Sequence, residues 1–200
     1  MTEHLADTTL HSRRARQGHL RVAALAVALA AVAVAVAWLV MRSEGGTAAL
    51  PAVNAGPKLV SRAQLEEFAN TLGRPLYWAG PKAGSSLELT RASGGKIFVR
   101  YLPRGVEPGD PRPDFLTVGT YAGPQSFAAL KQARTGQGTI SMRLTHHGLA
   151  VFDWRKPTSV YFGYPDADYQ VEVFAPASET ARALVLTGRV VPVDADAGSA

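Results

Sequence analysis

His146-His147-Gly148 is the pair best suited to chemistry, because imidazole binds metal ions and moves protons near neutral pH. On a strand, neighbouring side chains point to opposite faces, so the two rings cannot share one ion. At a turn, both rings are solvated, and Gly148 favours the turn. Asp153-Trp154-Arg155 sets a carboxylate beside an aromatic ring on a strand. Asp153 either pairs with Arg143 or Arg155, which is the favoured reading, or lies in a pocket as an acid. Asp166-Ala167-Asp168 has the beginning of a calcium loop but lacks its later Asp/Asn, its central Gly and its bidentate Glu. A turn that caps its own backbone accounts for it better. There is no Gly-x-Ser-x-Gly elbow and no Ser-x-x-Lys motif. Residues 134–139 (RTGQGT) lack the Gly-Lys-Ser/Thr ending of a phosphate loop. The absence of Cys removes thiol nucleophiles, thiolate metal sites and disulfides. The expectation is no metal, no cofactor and a binding role rather than an enzyme. A weaker alternative is an envelope enzyme using His146 or His147 with Asp153.

Aromatic side chains gather in two places, Tyr77, Trp78 and Tyr101, then Phe152, Trp154, Tyr161, Phe162, Tyr164 and Tyr169. Aromatic residues are ordinary sheet core, and an exposed patch of them would be a partner or ligand site. The candidate binding residues are Trp78, Tyr101, Asp153 and Trp154. A cleft lined by Trp78, Tyr101 and Trp154 would suit a small apolar ligand or lipid.

These residues need elements to hold them. Ser61 with Gln64 three places on is a capping box, and Gly73 suits a C-terminal stop, so a helix is predicted over 61–72. Further helices are predicted over 124–134 and 178–186. Leu87, Leu89, Ile97, Val99 and Tyr101 alternate with Glu88, Thr90, Phe98 and Arg100 around Ser93-Gly94-Gly95, the pattern of a hairpin with one buried face. Strands are also predicted at 76–79, 115–121, 139–145, 149–154, 159–164 and 169–174, with an optional edge strand at 190–193. Strands clustered between helices imply antiparallel pairing. The predicted fold class is α+β, an antiparallel sheet with about three helices lying mostly on one face. Each half reads as a helix followed by hairpins, a loose hint of duplication.

Residues 22–41 contain nine Ala, six Val, three Leu, one Trp and one Met, and no charge. As a helix they measure about 30 Å, the thickness of a bilayer's hydrocarbon core. Arg13, Arg14, Arg16 and Arg21 precede the span and only Arg42 follows closely, so the N-terminus is expected in the cytoplasm. A cleaved signal peptide is the rival reading, but its apolar region is normally about 7–15 residues long. The predicted organisation is a basic cytoplasmic tail (1–21), a transmembrane helix (22–41), a flexible stalk (42–57), an extracytoplasmic α+β domain (58–193) and a disordered C-terminal tail (194–200).

About half of the net charge of +5 comes from that tail, and the part after Arg42 is nearly balanced, which argues against nucleic acid as partner. The expected partners are the lipid bilayer through residues 22–41 and an envelope protein or small apolar ligand. Sixteen Arg against five Lys, with much Ala, Gly, Pro and Val, is the usage of a high-GC bacterial genome. Residues 76–81 (LYWAGP), 98–103 (FVRYLP), 116–121 (LTVGTY) and 169–176 (YQVEVFAP) resemble a group of uncharacterised, membrane-anchored proteins of actinobacteria. The resemblance covers roughly residues 60–193 and implies a membrane-anchored protein. That group has no assigned activity, so it carries over no functional residue.

Overall fold

The computed structural model describes residues 56–193. The basic tail, the apolar span, residues 42–55 of the stalk and the tail at 194–200 lie outside the described residues. Among the described residues, no helix is long and apolar enough to cross a membrane.

The elements run β1 (Lys58–Val60), α1 (Arg62–Leu72), β2 (Tyr77–Trp78), β3 (Ser85–Arg91), β4 (Ile97–Pro103) and β5 (Thr117–Ala122). They continue α2 (Ser126–Ala133), β6 (Thr139–Arg143), β7 (Leu149–Asp153), β8 (Ser159–Gly163), β9 (Tyr169–Phe174), α3 (Ser178–Leu186) and β10 (Val191–Pro192). The fold is α+β, with one eight-stranded antiparallel sheet in the order β1-β3-β4-β5-β9-β8-β7-β6. Two antiparallel runs, one from each half of the chain, meet where β5 pairs with β9. That arrangement parallels the helix-then-hairpins order in the sequence.

α1 starts as its residue types require. The Ser61 hydroxyl accepts the Gln64 N–H at 3.2 Å, the Gln64 side chain accepts the Ser61 N–H at 2.8 Å, and Gly73 ends the helix with a φ of 63°. The expected strand at 76–79 is shorter than predicted and leaves the main sheet. β2 instead pairs with β10, where Pro192 needs no ladder donor at a sheet edge. β1 is an addition, a three-residue strand at the start of the domain where none is predicted.

The period of two gives the main sheet two unlike faces. On the first, Leu89, Val99, Val118, Val173 and Val160 form one row across five strands, each 3% exposed or less. α1 through Leu65 and Ala69, and α3 through Ala181 and Val185, close over this face. Burial of each such aliphatic side chain contributes about 1.5–3 kcal/mol. Two of the three helices thus share one face, as expected, and α2 is the exception. Its Leu130 packs on Leu149 and Val151 of the second face, with Phe127 and Tyr161 beside them. α2 covers β7, β8 and β9 and leaves the β3–β4–β5 half of that face to a loop at 104–116.

Candidate functional site

The residues singled out from sequence do not assemble. Trp78 and Tyr101 are 1% and 2% exposed, packed in the core of the first face. The Tyr101 hydroxyl accepts the Ala79 N–H at 2.7 Å and donates to the Gly80 carbonyl at 3.0 Å, fastening the chain after β2. Trp154 is 58% exposed in the turn after β7. The expected cleft lined by Trp78, Tyr101 and Trp154 therefore does not form, because two of its walls are closed core. Asp153 accepts the backbone N–H of Arg155 at 2.8 Å, and no ion pair to Arg143 or Arg155 forms. The carboxylate caps its own turn instead.

His146 and His147 have φ of 52° and 58°, and the Gly148 N–H donates to the Thr145 carbonyl at 3.0 Å. Positive φ at both central residues makes a type I′ turn between β6 and β7. The pairing of Arg143 with Leu149 puts this turn at one end of the hairpin, and that of Thr139 with Asp153 puts Asp153 at the other. Four residues of strand separate them, roughly 14 Å. The histidines and Asp153 share no pocket. Among the described residues, no group of three or more His, Asp or Glu is placed to hold a metal ion.

The second face holds the polar groups that sequence reasoning missed. Two rows cross it in register. The first is Glu88, Arg100, Thr117, Phe174 and Ser159; the second is Thr90, Phe98, Gly119, Glu172 and Tyr161. Glu88 is fully buried, and its carboxylate accepts Arg100 Nη1 at 2.9 Å and the Gly109 N–H. Arg100 Nη2 donates to the carbonyls of Asp110 and Arg112 at 2.8 and 3.0 Å. The pair thus ties the Pro-rich loop to the sheet through three backbone groups. Gly109 turns its N–H inward with a φ of 83°, a conformation that favours glycine. Arg100 and Arg112 both stack on the Phe115 ring, 4.9 and 5.4 Å from its centre. Arg112 also clamps Asp110 and holds that carboxyl at about 2 through its side-chain hydrogen bond.

Beneath this loop lies a cavity of about 480 Å³, walled by Phe98, Phe115, Tyr121 and Phe174, with Arg100 and Glu172 on its floor. Gly119 makes the floor possible. A Cβ there would lie 2.9 Å from Tyr121 Oη, so the absence of a side chain lets the Tyr121 ring lean across to Glu172 on the next strand. Tyr121 donates to Glu172 Oε2, while Ser159 and Tyr161 donate to Oε1 at 2.8 and 2.9 Å. Burial first, then the charge of Glu172 and the hydrogen bond to it, pushes both phenols well above their ordinary pKa. They remain protonated donors at neutral pH.

Comparison with family models, curated proteins and solved structures finds no match to this chain. Function is therefore argued from the site alone. The arrangement offers a shielded carboxylate in an aromatic-walled recess, which is the equipment of recognition. One signal in the sequence pointed here. Glu172 is the one charged residue in a strand of mostly apolar and aromatic residues, with Tyr161 and Tyr121 on strands that can flank it.

Proposed function

We propose that this chain is a single-pass membrane-anchored protein, held in the cell membrane by residues 22–41, that presents residues 58–193 outside the cytoplasm as a ligand-binding domain. The cavity over Glu172 carries the binding half of this reading. Its volume lies in the range of small-molecule sites, and its lining is mostly apolar with a few convergent polar groups. The charge-free span and the four arginines before it support the anchored topology. A carrier of small molecules or lipids in the envelope is the second reading, favoured by the same cavity, now on the second sheet face rather than between Trp78 and Trp154.

Native mass spectrometry of the full chain released from mild detergent tests the binding half. A retained small molecule is expected in the wild type and not in Thr117→Trp, which fills the recess from its floor. A chain that flies bare, and that no small molecule stabilises against heat, would sink the reading. The chain has no Cys, so topology is tested with single cysteines. Lys82→Cys, at an exposed position, should react with an impermeant maleimide on intact cells, and Thr8→Cys only after permeabilisation. The reverse pattern would overturn the orientation.

A further inference from the structure

We propose that the cavity over Glu172 takes an organic cation, a molecule with an ammonium head and an apolar body. This rests on reading the cavity as a ligand site and names what that site recognises.

The argument begins with protons. A carboxylate has about four lone-pair positions. Ser159 and Tyr161 occupy both on Glu172 Oε1, and Tyr121 occupies one on Oε2. One acceptor position remains on Oε2. Tyr121 has spent its only proton on Glu172, so towards a ligand its oxygen is an acceptor as well. At this end of the cavity the protein offers acceptors and no donor. A ligand that meets it must donate.

The charges point the same way. Arg100 is committed to Glu88 and two carbonyls, and Arg112 to Asp110. Among the described residues, Glu172 has three hydroxyl donors and no ion-pair partner. Each guanidinium is paired with its own carboxylate, Arg100 with Glu88 and Arg112 with Asp110, which leaves the charge of Glu172 without a cation beside it. The aromatic walls fit the same occupant. Their ring faces are electron-rich, attract cations and shed water from an apolar body. An anionic ligand would set its charge beside Glu172 with no donor between them, and a neutral one would leave the negative charge uncompensated.

The test is calorimetric titration of the full-length chain in phosphatidylcholine nanodiscs, with empty nanodiscs as blank. The probes are benzylammonium, benzyl alcohol and benzoate, which share one body and differ in head. Benzylammonium should bind at least about tenfold more tightly than benzyl alcohol, the margin of one charge-assisted hydrogen bond, and benzoate should not bind. Glu172→Gln should make benzylammonium and benzyl alcohol equal. If that variant does not fold, Thr117→Lys decides. It leaves Glu172 and its hydroxyl donors in place and supplies a competing ammonium from the cavity floor, so it should abolish the benzylammonium preference. Equal binding of the ammonium and the alcohol by the wild type, or tighter binding of benzoate, overturns the cation and leaves the cavity a ligand site. Failure of all three probes overturns both. A lipid headgroup and a free amine share this chemistry. Adding phosphatidylethanolamine to the nanodiscs should weaken benzylammonium binding if the headgroup is the source and leave it unchanged if a soluble amine is.

Discussion

Arg100 Nη1 stands 2.9 Å from Glu88 Oε1 across the β3–β4 pair, and each partner reaches past the other to the backbone of the loop above. The two residues are cross-strand neighbours on adjacent strands, so the sheet register alone brings them together. Their charges are removed from water, with 17% exposure for the Arg100 side chain and none for Glu88. A buried pair of this kind adds little net stability over apolar residues of equal volume, but breaking it is costly. Its effect here is to hold residues 104–116 over the cavity.

Removing one partner should therefore unbalance the other. Glu88→Ala leaves the Arg100 charge without its carboxylate and the Gly109 N–H without an acceptor. The expected loss is about 3–5 kcal/mol in urea unfolding. Glu88→Leu with Arg100→Met should recover much of that, yet leave the loop untied. Amide exchange at Gly109 should then be fast in both variants. A single variant that costs under about 1 kcal/mol would show that the pair is effectively solvated.

The two phenols that serve Glu172 predict an alkaline limit. Their pKa values are raised in the folded state by burial and by the carboxylate, whereas the unfolded chain loses these protons near the ordinary value of about 10. Above that pH the unfolded state binds fewer protons than the folded one. Their contribution is thus fully present below about pH 10 and is lost as pH rises further. The slope is at most about 1.4 kcal/mol per pH unit for each tyrosine. Tyr121→Phe with Tyr161→Phe should be less stable at neutral pH, where each lost bond to a charged group is worth about 1.5–3 kcal/mol, and should show a flatter decline between pH 10 and 11. An unchanged slope would mean that the phenols ionise freely in the fold.

The scaffold was legible because its signals are local. The Ser61–Gln64 capping box, the Gly-rich hairpin at 93–95 and the alternation from Leu87 to Tyr101 each act over a few residues, and each forms as read. The site was not legible because it is made by register. Alternation says that Glu88, Arg100 and Glu172 point away from the first core, but not that a loop and α2 partly cover that outward face. Trp78 and Tyr101 misled for the complementary reason. Large aromatic side chains are equally suited to a core and to a cleft, and only packing decides between them.

The histidine pair now has a mechanical reading that can be tested. The type I′ turn holds two residues with side chains in the left-handed region, at roughly 1–2 kcal/mol each relative to glycine. His146→Asn with His147→Gly supplies the residue types that this turn favours. Thermal unfolding should shift upward by a few degrees, for a gain of about 1 kcal/mol or more. Binding at the cavity over Glu172 should not change, since the turn lies outside its lining. A fall in stability would mean that the imidazoles make contacts that outweigh the backbone strain.

Gly119 links floor and wall most directly, and its substitution should separate shape from charge. Its strand partners are Phe98 on β4 and Glu172 on β9, and Tyr121 leans over it from two residues along β5. A methyl group at Gly119 would meet Tyr121 Oη at 2.9 Å and Phe98 Cδ1 at 3.3 Å, so the phenol must swing away from Glu172. Overpacking of this kind costs about 1–3 kcal/mol. Gly119→Ala should therefore lower the unfolding free energy by that amount and flatten the alkaline decline, because the Tyr121 phenol leaves the carboxylate and regains water. Tyr121→Phe in the Gly119→Ala background should then cost much less than in the wild type, since the hydrogen bond it removes is already broken. A double-mutant cycle by urea unfolding reads this coupling directly. Strict additivity of the two changes would mean that Tyr121 reaches Glu172 without needing the bare backbone at Gly119.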